Sequence, residues 1–126
     1  GIDARSTGFS RRQRLVEAQR FRQVFRHGRR VRGELLVAVV LPGACAHARL
    51  GMAISRRHAG TNVARNRIKR HIRESFRQVQ TELGAVDVVV TTRPTIVHAD
   101  ARALRHELDR LWSRVARGGG LQRQSL

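Results

Sequence analysis

Apolar side chains recur along this chain at two different periods, and those periods divide it into elements. Between about residues 17 and 27, Ala18, Phe21, Val24 and Phe25 return at helical spacing, and Gly28 supplies a stop. Val31 follows, and then an unbroken apolar run over 35–41, closed by Pro42 and Gly43. So continuous a run predicts a strand covered on both faces, or a curved central one. A loop over 42–48 leads to a further strand over 50–55. Thr61 or Asn62 can cap the next helix, which runs to about 81 before Gly84 ends its segment. At about 100° per residue, Ile68, Ile72, Phe76, Val79 and Leu83 share one arc of that helix. Val86 to Thr92 is the clearest strand, stopped by Pro94. Asp100 can cap the last helix, whose stripe is Leu104, Leu108, Leu111, Trp112 and Val115.

The resulting order is α-β-β-α-β-α, with a possible short extra strand near 30–32. One sheet with helices around it predicts an α+β chain built as a two-layer α/β sandwich. The expected organisation is a mobile basic segment over 1–13, a single domain over 14–117 and a flexible tail over 118–126, the order ending at Gly118-Gly119-Gly120.

Composition changes the question from fold to partner. Leu, Ile, Val and Phe supply 34 of 126 residues, above the roughly 20% floor below which chains stay disordered. A core therefore coexists with a formal net charge of +17, from 26 Lys plus Arg against 9 Asp plus Glu. A field of that size is an argument about polyanionic partners, with nucleic acid ahead of an anionic membrane. All but one of the basic residues are arginine, whose guanidinium forks suit phosphate; a GC-rich coding sequence explains the same bias equally well. Cys45 is the single cysteine, which leaves no internal disulfide and fits a reducing cytosol. No apolar run approaches the roughly 18 residues of a membrane span, and the first residues lack a signal-peptide core, so the expected location is cytoplasmic.

The charge concentrates at Arg65-Asn66-Arg67-Ile68-Lys69-Arg70-His71-Ile72-Arg73. Asn66, Lys69, Arg70, Arg73 and Arg77 fall beside and opposite the apolar arc, and Glu74 is the only acid between Arg56 and Arg77. Like charges at i,i+4 cost a few tenths of a kcal/mol per pair, a cost that phosphate binding recovers. Arg65 is the exception: its wheel angle lies on the apolar side. Phe21 and Phe25, one turn apart among arginines, read either as core or as a stacking platform for single-stranded nucleic acid. Catalytic motifs are missing: there is no HExxH, CxxC, Walker loop or GxSxG, and the acids are too dispersed for a two-metal centre. The pattern is that of a binder.

Four blocks in order resemble the protein subunit of bacterial ribonuclease P. They are Phe21-Arg22-Gln23-Val24-Phe25-Arg26-His27-Gly28, then Arg49-Leu50-Gly51-Met52-Ala53-Ile54-Ser55-Arg56-Arg57, then the Arg65-Asn66-Arg67 signature with its continuation, and Val86-Asp87-Val88-Val89-Val90 followed by Leu111-Trp112. The resemblance implies an α-β-β-β-α-β-α order with a left-handed β-α-β crossover. It implies a subunit of an endoribonuclease whose Mg²⁺-dependent RNA removes the 5′ leader of precursor tRNA, the protein itself contributing no catalytic residue and no metal site. The implied partners are ribonuclease P RNA and precursor tRNA, with no membrane and no obligatory protein partner. Carried over by motif, Arg65, Asn66, Arg67, Lys69, Arg70 and Arg73 contact RNA. Phe21, Phe25, Ser55, Arg56 and Arg57 line or edge a leader cleft. The family often places an aromatic on the strand lining that cleft; residues 36–41 contain none, and Val39 is the expected replacement. A ribosomal or other structural RNA-binding protein without a processing role is the alternative.

Overall fold

The computed structural model describes residues 18–43 and 45–124, with side chains described as far as Arg117. Helix α1 (Ala18–His27) leads into β1 (Arg29–Arg32), β2 (Leu36–Pro42) and β3 (Arg49–Ala53). A one-turn helix α2 (Arg56–Ala59) precedes the long α3 (Asn62–Leu83), then β4 (Val86–Thr92), a 3₁₀ turn (Pro94–His98) and α4 (Ala101–Gln124). The short strand near 30–32 is thus β1, and the implied order holds; α2 and the 3₁₀ turn are additions that periodicity did not show.

The four strands lie in the order β1-β2-β4-β3. β2 pairs antiparallel with β1 and β4, while β3 and β4 are parallel and joined through α3. Because strand side chains alternate faces, β2 is buried on both sides, as its continuous apolar run requires. Leu36, Ala38 and Val40 join the main core with Val88, Val90, Ile68, Ile72, Phe76 and the α4 stripe. Val39 and Val89 face the other way, onto Val24 of α1. The sandwich of sheet against α3 and α4 therefore carries α1 on its opposite face.

Local chemistry fixes the ends of the helices. The Thr61 hydroxyl accepts from the Ala64 N–H at 3.0 Å and caps α3, and Asp100 Oδ1 accepts from Ala103 N–H at 2.8 Å at the start of α4. Gly84 ends α3 with φ +74°. Gly28 works differently: a Cβ there would stand 2.6 Å from the Val24 carbonyl oxygen and 2.7 Å from Val39 Cγ1. That position needs glycine for close approach of α1 to β2, not for a left-handed turn. α3 and α4 meet at Phe76 and Trp112, edge to face at 5.8 Å, with the indole N–H donating to Ser75 Oγ at 2.8 Å.

One expectation is corrected. α4 runs to Gln124 and passes through Gly118-Gly119-Gly120 instead of stopping there. A glycine stop works through a left-handed residue after the last turn, and among the described residues only Gly60 and Gly84 have positive φ. The expected segment over 1–13 lies outside the described residues.

Candidate nucleic-acid interface

The signature stretch occupies the first turns of α3. Ile68 and Ile72 are buried, and Asn66, Arg67 and Arg70 are exposed, so the helix has the two sides its pattern called for. Lys69 and Arg73 are half-buried at the border. Asn66, Arg67, Lys69 and Arg70 have no hydrogen-bond or ion-pair partner among the described residues. Arg65, which the wheel left unexplained, bends back from the apolar side. Its Nε donates to the Ile54 carbonyl at 3.4 Å and its Nη1 to Asn62 Oδ1 at 3.3 Å. It thereby braces the start of α3 against the end of β3.

His71 sits between Arg67 and Arg70 on α3 and Arg105 on α4. Burial lowers its pKa, Glu74 pulls the other way, and the three guanidiniums lower it further, for a net decrease. The imidazole is therefore neutral near pH 7, and the positive field here comes from arginine and lysine.

A second surface lies on the opposite face of the sheet. Phe21 is half-buried against Val24, Val39 and Val89, while Phe25 stays 40% exposed. Arg30 stacks on Phe25, its guanidinium carbon 5.5 Å from the ring centre, and its Nη2 donates to the Phe25 carbonyl at 3.2 Å. Beyond the reach of α1, the register lines up Val37, Thr91 and Ala53 across β2, β4 and β3. All three are half-buried, on the face of the sheet that carries α1. Ser55, Arg56 and Arg57 follow closely on Ala53 at the end of β3. The Ser55 hydroxyl accepts from the His58 N–H at 3.3 Å and caps α2, which leaves Arg56 and Arg57 exposed.

Two features depart from the sequence reading. Val39, the expected floor residue, is fully buried beneath α1, where the glycine at 28 lets the helix settle onto it. Arg30 and Arg32 were missed as site residues. Their register opposite Val39 and Val37 puts them on the α1 face of the sheet, and Arg30 lies against Phe25. The alternation Arg30-Val31-Arg32 carried that signal.

The sheet's strongest polar anchor also belongs to this face and was not foreseen. Asp87 is completely buried in β4, and it accepts from Arg20 Nε of α1 at 2.7 Å and from Arg49 Nε and Nη2 of β3 at 2.9 and 3.0 Å. Burial alone would raise its pKa, but the hydrogen bonds from Arg49 and Arg20 outweigh it and hold the carboxyl below its ordinary value. An acid set within a valine strand is the sequence signal for such an anchor. Among the described residues, no group of three or more His, Cys, Asp or Glu is placed to hold a metal ion, and no helix is long and apolar enough to cross a membrane.

Comparison with known proteins matches the arrangement to one family. Residues 9–116 fit the family model described as Ribonuclease P. A ribonuclease P protein component from Nitrosococcus oceani is 43% identical over 105 residues, covering 83% of this chain and 88% of that protein. One from Thioalkalivibrio sulfidiphilus is 39% identical over 109 residues, covering 86% and 91%. Among solved structures, the RNase P protein from Thermotoga maritima superposes with a TM-score of 0.71 at 27% identity, covering 80% of this chain and 96% of its own. The Staphylococcus aureus RNase P protein gives 0.75 at 25%, covering 80% and 93%.

Proposed function

The chain belongs to the ribonuclease P protein family, the protein component of a ribonucleoprotein endoribonuclease, and on that premise we propose how its two surfaces divide the work. Arg65, Asn66, Arg67, Lys69, Arg70 and Arg73 contact ribonuclease P RNA. The cleft of Phe21 and Phe25, edged by Ser55, Arg56 and Arg57, holds the 5′ leader of precursor tRNA. The domain over 14–117 carries both, and the reaction takes place in the cytoplasm.

One observation carries this reading: α3 buries Ile68 and Ile72 while presenting Asn66, Arg67 and Arg70 to solvent, with Glu74 the only acid between Arg56 and Arg77. Exposed guanidiniums bind phosphate through paired donors, and each neutralised phosphate releases counterions. Phe25, held under Arg30, offers an aromatic face beside a cation, the combination that a single strand stacks on. Because only the precursor has a leader, the cleft adds affinity for substrate over product. Arginine contacts to both RNAs lower their mutual repulsion, so less Mg²⁺ is needed.

Mg²⁺ would serve the RNA subunit, supplying Lewis-acid chemistry there. The residues described here do not fit a metal site, so no step is assigned to protein-bound metal. The test is cleavage of precursor tRNA by the cognate RNA at low Mg²⁺, with and without the protein. The reading requires stimulation by the protein; no stimulation points to a structural RNA-binding role, and cleavage by the protein alone to a nuclease.

A further inference from the structure

The edge of the molecule formed by the β1–β2 hairpin and α4 carries a second cationic cluster. Its organiser is Glu107, whose carboxylate accepts from the backbone N–H groups of Glu34, Leu35 and Leu36 at 3.0, 2.8 and 2.7 Å. Those bonds clasp α4 to the hairpin and engage the Glu107 charge locally. His106, Arg110 and Arg114 follow at four-residue intervals, one row on the α4 surface. Arg93 reaches in from the end of β4.

Two of these arginines are fixed at one nitrogen. Arg93 Nη1 donates to the Gly33 carbonyl at 3.1 Å, and Arg114 Nη1 donates to the Arg32 carbonyl at 2.6 Å. Among the described residues nothing engages their remaining nitrogens, so each keeps an Nε and Nη2 edge for an oxyanion. Arg110, on the row between His106 and Arg114, has no partner there at all. Together they line an open cavity of about 460 Å³, with Glu34 as the one other acid on its wall. Positioned guanidiniums with free edges match phosphate oxygens in both charge and geometry.

Its location gives this cluster a separate role. α4 packs on β1 and β2 as well as on α3, whereas α3 packs on β3, and β1 and β3 are opposite edges of the sheet. Three strand spacings amount to roughly 14 Å, beyond the Debye length of about 8 Å at physiological salt. One short stretch of RNA backbone at the signature helix does not neutralise both clusters.

We propose that Arg93, Arg110 and Arg114 form a second phosphate-binding face that grips the sugar-phosphate backbone of another segment of ribonuclease P RNA. The protein then joins two RNA segments across its sheet. This rests on the family reading above and goes beyond the signature helix and the cleft.

The experiment measures binding of the full-length protein to ribonuclease P RNA across a salt series, with backbone footprinting at one salt concentration. Arg110→Gln breaks no contact with any described residue; the pair Arg93→Gln and Arg110→Gln removes two cations. The expected result is a salt slope shallower by roughly 0.7–0.9 for each arginine, with loss of one protected backbone segment. Protections that depend on Arg67 and Arg70 should persist. An unchanged slope and footprint for both variants overturns the proposal. If Arg67→Ala with Arg70→Ala weakens binding in the same assay while these variants do not, only the second face fails. If that control also has no effect, the assigned signature-helix interface fails as well. Should the paired variant melt early, Arg110→Gln alone decides the matter.

Discussion

Asp87 and Arg20 lie 67 positions apart in the chain, and their 2.7 Å ion pair fastens α1 to the sheet. The carboxylate is fully buried and the arginine largely so. Apolar burial contributes little to it, since Val24 is the only fully buried side chain of α1. α1 is therefore held by this charge pair, by hydrogen bonds from Arg20 Nη2 to the Pro42 carbonyl and from Arg30 Nη2 to the Phe25 carbonyl, and by a small apolar contact.

Asp87→Ala leaves two guanidiniums near a dry site without their acceptor and is expected to cost about 3–5 kcal/mol. Arg20→Ala should cost less, because Arg49 still engages the carboxylate through two bonds. Urea melts give the order, and hydrogen exchange should show α1 opening in Arg20→Ala while α3 and α4 keep their protection. Equal costs for the two substitutions would contradict it. The folded pKa of Asp87 is depressed, so its stabilising contribution is complete above the unfolded value of about 3.9 and is lost as pH falls through the folded one. The melting temperature should drop below about pH 4 more steeply in the parent than in Asp87→Asn.

Phe21 and Phe25 should separate under mutation. Phe25→Ala removes an exposed ring and is expected to weaken precursor tRNA binding, by about 1–3 kcal/mol if one base stacks there, with little change in stability. Phe21→Ala also disturbs the packing under α1, so it should lower both. Mature tRNA should bind unchanged by either variant of the holoenzyme. Equal losses for precursor and mature tRNA would remove the leader assignment.

Arg67→Ala with Arg70→Ala should weaken assembly with ribonuclease P RNA and flatten its salt dependence by roughly 0.7–0.9 in slope for each phosphate that is no longer neutralised. Isothermal titration at several salt concentrations tests this. A parallel line displaced to weaker affinity would mean that the two arginines act on shape, not on phosphate.

His71 adds a pH signature. Its folded pKa lies below the unfolded value of about 6.5, so between the two the unfolded chain holds more protons and the free protein loses stability as pH falls. Phosphates that neutralise Arg67, Arg70 and Arg105 raise the imidazole pKa again. Binding that relieves this arginine contribution takes up a proton, so affinity for the RNA should rise as pH falls toward the unfolded value. His71→Gln should flatten that rise; an identical pH profile would exclude His71 as its source.

Glu107→Gln tests the clasp between α4 and the hairpin. The substitution keeps the shape but turns one oxygen into a donor facing backbone N–H groups, at an expected cost of about 1–3 kcal/mol. Chemical denaturation measures it, and a neutral effect would show that water satisfies the hairpin equally well.

The elements were legible where one physical effect dominates. The apolar stripes of α3 and α4, the doubly covered β2 and the caps at Thr61 and Asp100 all follow from burial or from a local hydrogen bond. The exposure of Asn66, Arg70 and Arg77 was equally readable from the wheel, whereas Arg67 lies outside that arc and is exposed all the same, and Lys69 and Arg73 are half-buried at its border. What stayed hidden depends on partners far away in sequence. Arg65 finds the Ile54 carbonyl only once β3 lies beside α3, Asp87 collects guanidiniums from two other elements, and Glu107 meets a hairpin 71 to 73 positions away. The glycines at 118–120 misled for a different reason: a stop signal acts through backbone conformation, which residue identity permits without imposing.

The parallel pairing of β3 with β4 also has a kinetic side. Arg49 and Asp87 are register partners separated by 38 positions, and the whole signature helix lies in the intervening loop. Closing a loop of that length costs roughly 3 kcal/mol of chain entropy before any interaction is returned. Strand pairing at this edge therefore comes late, and α3 becomes anchored at both ends only when it happens. Until that edge pairs, the cationic helix lacks the strand register that ties its two ends to the same sheet.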